Sequence, residues 1–285
     1  MKKLTGLCTG CCVVFCGVGV MAAQEMPSGP PKVLVIQREF VKPGKSGSLH
    51  EKSESAFVQA FAAAKWPTHY FAIESMSGRP RALFFLGYPS FEAWEKDNEA
   101  MAKNATLSAA VERGTLADGE LLTEFSQSVF VYDEEHSLRP GDLLNMRYFE
   151  ISQYKIKAGH RHEWMELMKI YHDGFEKASP NTNWAVFESY YGADNGGLYL
   201  AISRLKSLAE DDQGMGDVKK FADAIGDDGM KKVRELTAAC IESEQTNLFH
   251  FNPKMSYPPD EWIKADPFWK TKASAAVKKA APATP

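Results

Sequence analysis

The chain has 285 residues, with 33 basic against 37 acidic side chains and a formal charge of −4, so it lacks the basic excess that a nucleic-acid backbone demands of its partner. Four of the five cysteines (Cys8, Cys11, Cys12 and Cys16) crowd into the first stretch, leaving Cys240 alone; this excludes an internal disulfide framework and a thiolate metal cluster from the remainder. Cys240 sits among Leu236, Ala239 and Ile241 and is expected to behave as a small buried apolar residue.

Lys2 and Lys3 precede an apolar run from Cys12 to Ala23 that ends on the small residues Ala22 and Ala23. A basic start, an apolar centre of about 7–15 residues and a small-residue end make residues 1–23 a secretory signal peptide. The run falls short of the roughly 20 residues of a spanning helix. The chain is therefore expected in the periplasm or outside the cell, with no membrane contact after cleavage. Loss of Lys2 and Lys3 takes the basic count from 33 to 31 against 37 acidic residues, a net charge of −6. A lipoprotein start at Cys11, behind Thr9-Gly10, is the second reading.

Beyond the polar lead-in, Val33 to Val41 is apolar and β-branched enough for a strand, and Pro43-Gly44 ends it. A helix follows over about Lys45–Lys65. Thr68–Met76 and Arg81–Tyr88 form a hairpin around Ser77-Gly78-Arg79-Pro80. Ser90 is placed to cap a helix through Trp94 and Met101. A second helical piece covers Leu107–Thr123, and Ser126–Tyr132 is a fourth strand. His136 to Asp142 reads as a linker. The order then recurs: strand Met146–Ile156, helix His160–Ala178, strand Asn183–Tyr191, a turn at Asp194–Gly197, strand Leu198–Arg204, helix from the Ser207/Glu210 capping box, helix over about Met230–Ile241, and strand Thr246–Phe251. The tail after Trp269 is rich in Ala, Lys and Pro and is expected to be disordered.

With Val41-Lys42-Pro43-Gly44 laid over Ile156-Lys157-Ala158-Gly159, the two copies align without a gap through the helix. Each half is β-α-β-β-α-β, the ferredoxin-like order. The predicted class is α+β: two tandem ferredoxin-like repeats, 31–135 and 144–255, joined by residues 136–143 and followed by a C-terminal extension over 256–285. Helices on one face leave the other face of each sheet bare, and a bare apolar sheet must be buried. The second copy can cover the first, giving an intramolecular dimeric α/β barrel, a pseudo-dimer within one chain.

The run Glu150-Ile151-Ser152-Gln153-Tyr154-Lys155-Ile156-Lys157-Ala158-Gly159 resembles the opening strand of NIPSNAP-like domains in the dimeric α/β-barrel superfamily. It departs from the family pattern at Ser152 and Ala158. The first half keeps Lys42-Pro43-Gly44 but carries Val35 and Glu39 where Glu and Tyr are expected. The superfamily includes antibiotic-biosynthesis monooxygenases, EthD and chlorite-dismutase-like proteins, so the resemblance implies a fold and admits cofactor-free oxygenases, haem binders and proteins of no known activity.

On the second-half helix, Trp164, Leu167, Met168, Tyr171 and Phe175 form one apolar stripe. The first-half equivalents of four of them, Trp164, Met168, Tyr171 and Phe175, are Leu49, Ser53, Ala56 and Ala60, each smaller than its counterpart. Interiors are close-packed, so either the first helix sits nearer its sheet or the first half keeps a cavity. Any ligand pocket is expected between the first helix and its sheet, lined by His50, Phe57, Phe61, His69, Tyr70 and Trp94. Glu74, matching Glu188, is the candidate general base; an ion pair with a strand arginine is the plainer role. His172 flanks the second-half stripe and is a candidate axial haem ligand, with a satisfied flank histidine as the alternative. His160 and His162 point about 200° apart on a helix and cannot share an ion. No metal site is expected, and no phosphate loop, nucleophile elbow or calcium loop is present. Three readings follow: a barrel that binds a small apolar ligand, haem included; a cofactor-free oxygenase or isomerase; and a structural or interaction module.

Overall fold

The computed structural model describes residues 29–192 and 197–271. The predicted signal peptide, most of the turn at 194–197 and the tail beyond 271 lie outside the described residues. Eight antiparallel strands close into a barrel: β1 Val33–Val41, β2 Tyr70–Ser75, β3 Arg81–Tyr88, β4 Leu122–Leu138, β5 Tyr148–Ile156, β6 Trp184–Tyr191, β7 Leu198–Leu205 and β8 Ile241–Phe251. Neighbours around it run β1-β3-β2-β8-β5-β7-β6-β4. Strands 1–4 thus stand in the order 4-1-3-2, and strands 5–8 repeat that order as 8-5-7-6. Closure removes every free strand edge.

Alternation along the strands sorts the side chains. Leu34, Ile36, Phe71, Ile73, Leu83, Phe85 and Phe130 from one half meet Phe149, Ile151, Phe187, Leu200, Ile202, Phe249 and Phe251 from the other in a single interior core. The outer faces take the helices: α1 Ser48–Ala64, α2 Phe91–Lys103 and α3 Ala105–Gly119 over the first half, α4 Arg161–Ala178 and α5 Ala209–Cys240 over the second. Ser90 caps α2 as expected, accepting from the Ala93 amide, and Asn104 caps α3 in the same way. The two predicted helices after Ser207 are one stretch, α5, bent at Gly226, whose φ of +69° suits a residue without a side chain. Glu210 reaches back to the Lys206 amide, while Ser207 leaves the helix end uncapped by its side chain.

The two seams between halves are built alike. At one, Ser137 Oγ donates to the Asp133 carbonyl and accepts from the Val186 amide at 2.8 Å, and Leu138 pairs with Trp184. At the other, Ser256 Oγ donates to the Asn252 carbonyl and accepts from the Ala72 amide at 2.9 Å, and Tyr257 bridges to Tyr70. Because Ser137 is part of a seam, β4 runs on through His136–Leu138, and the predicted linker over 136–143 shrinks to a connection beginning at Arg139. Beyond the second seam, the segment carrying α6 (Asp260–Ala265) folds back on the barrel. Trp262, Phe268 and the fully buried Trp269 pack on the interior core, and Trp269 Nε1 donates to the Leu144 carbonyl. The described part of the C-terminal extension therefore stops one end of the barrel.

Candidate functional site

A cavity of about 570 Å³ lies in the first half, between the outer sheet face and α1–α3. Strand alternation sends Val35, Gln37 and Glu39 of β1 and Phe84, Leu86 and Tyr88 of β3 outward into it. From α1 come Glu54, Phe57 and Phe61, from α2 Trp94 and Asp97, and from α3 Thr115 and Asp118. Eight of the lining side chains are aromatic. Phe61 meets Tyr70 edge-on at 5.6 Å, and Tyr70 meets Phe84 at 6.2 Å. Gly114 on α3 makes room for this wall, since a Cβ there would come within 2.8 Å of the Phe57 ring.

The cavity has two polar corners of different character. At one, Asp97 accepts from Thr68 Oγ1 at 2.6 Å and from the Tyr88 hydroxyl at 2.9 Å. Its hydrogen bonds are satisfied, and burial together with Asp97 pushes the Tyr88 phenol far above its ordinary range. At the other, where the end of β1, the first turns of α1 and the end of α3 converge, Glu39, His50, Glu54 and Asp118 come together, each buried. Their ligand-type atoms all lie within 4.8 Å of one another. His50 Nε2 is 3.0 Å from Glu39 Oε2 and 3.6 Å from Asp118 Oδ1. Among the described residues, His50 Nδ1, Glu54 Oε1 and Asp118 Oδ1 have no hydrogen-bond partner, and neither has the Tyr70 hydroxyl on the same cavity.

Electrostatics at this corner follow from crowding. Burial raises the Glu54 carboxyl well above its usual value, and the charges of Glu39 and Asp118 push it further. Burial also raises Glu39; the His50 hydrogen bond opposes this only in part. For His50, burial alone would lower the imidazole, but the Glu39 hydrogen bond and the fields of Glu39 and Asp118 outweigh it and hold it raised. Three carboxylates beside one imidazole in a low-dielectric site cannot all be ionised without a further cation.

The expected site residues divide. Phe57, Phe61, Tyr70 and Trp94 line the cavity, and His50 lies just behind it in the acidic corner. His69 stays outside, its Nδ1 3.2 Å from the Tyr257 carbonyl oxygen and its ring packed on Tyr257. His172 lies on α4, against Asp173 at 3.1 Å, away from the cavity. Glu74 does not line the cavity either. It accepts from Asn252 Nδ2 at 2.5 Å and sits 3.6 Å from His250 Nε2. Burial would raise its carboxyl, but these two hydrogen bonds prevail and hold it below the ordinary range, which suits a fixed anion rather than a general base. Its partners are His250 and Asn252 in place of a strand arginine.

Sequence reasoning missed Glu39, Glu54 and Asp118. Glu39 was visible as an acidic residue where the strand pattern asks for tyrosine. Glu54, one helical turn after His50, looks like any charge on a solvated helix face. The lining also bears on haem. A haem needs an axial donor facing it and tolerates its two carboxylates best beside cations, yet no Lys, Arg or His is among the lining residues, which include four carboxylates. His50 turns its Nε2 to Glu39 and Asp118. This cavity does not fit haem.

No family model matches the chain, and no curated protein does. Solved structures similar to it include an anthrone oxidase-like protein, 17% identical with a TM-score of 0.49, covering 79% of this chain and 94% of that one. Another is chlorite dismutase from Candidatus Nitrospira defluvii in complex with imidazole, 11% identical with a TM-score of 0.46, covering 84% of this chain and 96% of that one. At such identities and scores the likeness carries no argument about activity. What the molecule itself shows is a closed eight-stranded antiparallel barrel with its helices outside, formed within a single chain.

Proposed function

We propose that the protein is an exported small-molecule-binding protein of the dimeric α/β-barrel type, built from tandem ferredoxin-like repeats. Its ligand is a small, largely apolar molecule held under α1 with a polar end toward Glu39, Glu54 and Asp118. The observation that carries this reading is the aromatic-walled cavity of about 570 Å³, within the range of sites for small organic molecules. The matching Ser137 and Ser256 seams and the shared 4-1-3-2 strand order support the repeat. The narrower kinship with NIPSNAP-like domains rests on the Glu150–Gly159 run alone.

Titration with the neutral probe N-phenyl-1-naphthylamine, followed by its emission and by quenching of Trp66 and Trp94 at the cavity wall, tests the binding reading. One saturable site per chain is expected. Thr115→Trp, which fills the cavity, should weaken binding at least about tenfold, whereas Tyr190→Ala on the exposed surface should leave it unchanged. Binding that ignores Thr115→Trp contradicts the reading. Export is supported by the charge and hydropathy of residues 1–23. A mature N-terminus at Gln24 is expected; a lipidated Cys11 would replace the signal-peptide reading, and an intact Met1 would sink export.

A catalytic reading, a cofactor-free oxygenase or isomerase, is favoured by the hydrogen-bonded His50–Glu39 pair beside the unpartnered Glu54. These residues, not Glu74, would carry proton transfer, so Glu54→Gln should abolish turnover while Glu74→Gln spares it.

A further inference from the structure

We propose that Glu39, His50, Glu54 and Asp118 hold one divalent first-row transition-metal ion at the inner corner of the α1 cavity. Buried charges in proteins are paired or coordinate metals. Here the three carboxylates and the imidazole are each more than nine-tenths buried, and the ion pairs among the described residues that involve these carboxylates all go to His50. Among the described residues, no lysine or arginine lines the cavity to neutralise them.

The geometry fits an ion. Two ligands each about 2.1 Å from one metal stand roughly 3.0–3.4 Å apart, the range of the His50 contact to Glu39 and close to that with Asp118. The remaining atoms need shift by an ångström or so, since all lie within 4.8 Å of one another. A separate observation points the same way. The buried hydroxyl of Tyr70, a residue 6% exposed, has no partner among the described residues, lies on the same cavity and would satisfy its hydrogen bond on a water or ligand atom attached to the ion.

The donor set sets the metal class. One imidazole with carboxylate oxygens suits Mn(II), Fe(II), Co(II) or Zn(II), whereas calcium takes six to eight oxygens and magnesium prefers to keep its waters. The second half has lost the set: the positions matching Glu39, His50 and Glu54 are Tyr154, Met165 and Lys169. The site is thus a property of the first half alone.

The inference shares its cavity with the proposed ligand site but stands apart from it: metal uptake without probe binding would sink the ligand reading only, and probe binding without metal would sink this one. The test uses the purified full chain, stripped with a chelator and reloaded separately with MnCl2, CoCl2, ZnCl2, CaCl2 or MgCl2. One Mn, Co or Zn ion per chain is expected, with visible d–d absorption for Co(II) and coupling of a single histidine nitrogen to Mn(II) by pulsed electron paramagnetic resonance. Glu54→Gln should weaken binding by more than about 100-fold, beyond the 10–100-fold cost of losing a supporting residue, and His162→Ala should leave it unchanged. Less than about 0.1 ion per chain, no nitrogen coupling, or full affinity in a folded Glu54→Gln variant would each overturn the proposal. Should that variant not fold, the nitrogen coupling in the wild-type chain decides alone.

Discussion

The barrel's outer surface is covered twice, and the two covers do the job differently. Under α4 the space is filled: Trp164 packs against Tyr154 at 5.1 Å and Tyr199 at 5.2 Å, and Phe221 of α5 stacks on Phe175 at 4.6 Å and on Tyr171 at 5.2 Å. Under α1 the space is kept open, with His50 and Glu54 turned inward beside Val58. Gap-free alignment sets Leu49 against Trp164, yet Leu49 is 49% exposed and Trp164 only 2%. The helix α1 has therefore turned on its sheet by about one residue, roughly 100°. Two halves with the same strand order can thus differ in their outer layer, one packed and one holding a cavity, because helix rotation is not fixed by strand register.

Substitutions at matched positions separate the two layers, and the largest effect belongs to the filled one. Trp164→Ala should destabilise the protein by about 3–5 kcal/mol in chemical denaturation, whereas Leu49→Ala should stay within about 0.5 kcal/mol of wild type. Equal costs at both sites would mean that α1 packs like α4. Next is Gly114→Ala, which drives a methyl against Phe57 and should cost about 1–3 kcal/mol while weakening probe binding.

A third effect runs in the opposite direction. A carboxyl whose folded pKa is raised stabilises the fold at pH values below its unfolded pKa, and that stability drains away as pH rises toward the folded value. Above the ordinary carboxylate range Glu54 therefore works against the metal-free fold. Glu54→Gln should raise its stability at neutral pH by about 1 kcal/mol or more, and the gain should vanish near pH 4. A loss of stability at neutral pH would mean that Glu54 already has an unseen partner.

The smallest effect lies at the seams. Asp133 and His136, 2.8 Å apart, tie the exit of β4, while the matching place after β8 carries the neutral Asn252. Burial opposes ionised Asp133, yet its hydrogen bond from His136 prevails and keeps the carboxyl low; that same bond chiefly raises His136, against partial burial and Arg161. The Asp133 contribution is present above its unfolded pKa and lost as pH falls through its folded value. The His136 contribution is full below about pH 6.5 and lost as pH rises through its raised value. His136→Gln should flatten that alkaline loss, which is about 1 kcal/mol or less in thermal unfolding scans against pH.

Much of the fold was legible because it is written in periodicity. The apolar, β-branched run Val33–Val41, its gap-free match to Met146–Ile156 and the repeated Gly44 and Gly159 turns pointed to paired four-stranded halves, and the two halves of the barrel share one strand order. The cavity's half was legible from side-chain volume, and Phe57, Phe61, Tyr70 and Trp94 from their place around it. Its acidic corner was not. Glu39 and Glu54 lie on the successive elements β1 and α1, Asp118 lies far along the chain on α3, and each is individually ordinary; only the rotation of α1 and the closing of α3 over β1 make them neighbours. Glu74 misled for the converse reason: its alternation is right, but Asn252 and His250 arrive from the far end of the chain to bind it.

The contrast between an open layer and a filled one is tested most directly by diffraction from crystals held under xenon pressure, since xenon enters apolar cavities of sufficient size. Density is expected beside Phe57, Phe61 and Trp94 and nowhere beneath α4. Xenon bound against Trp164 and Phe221, or absent from both layers, would contradict it.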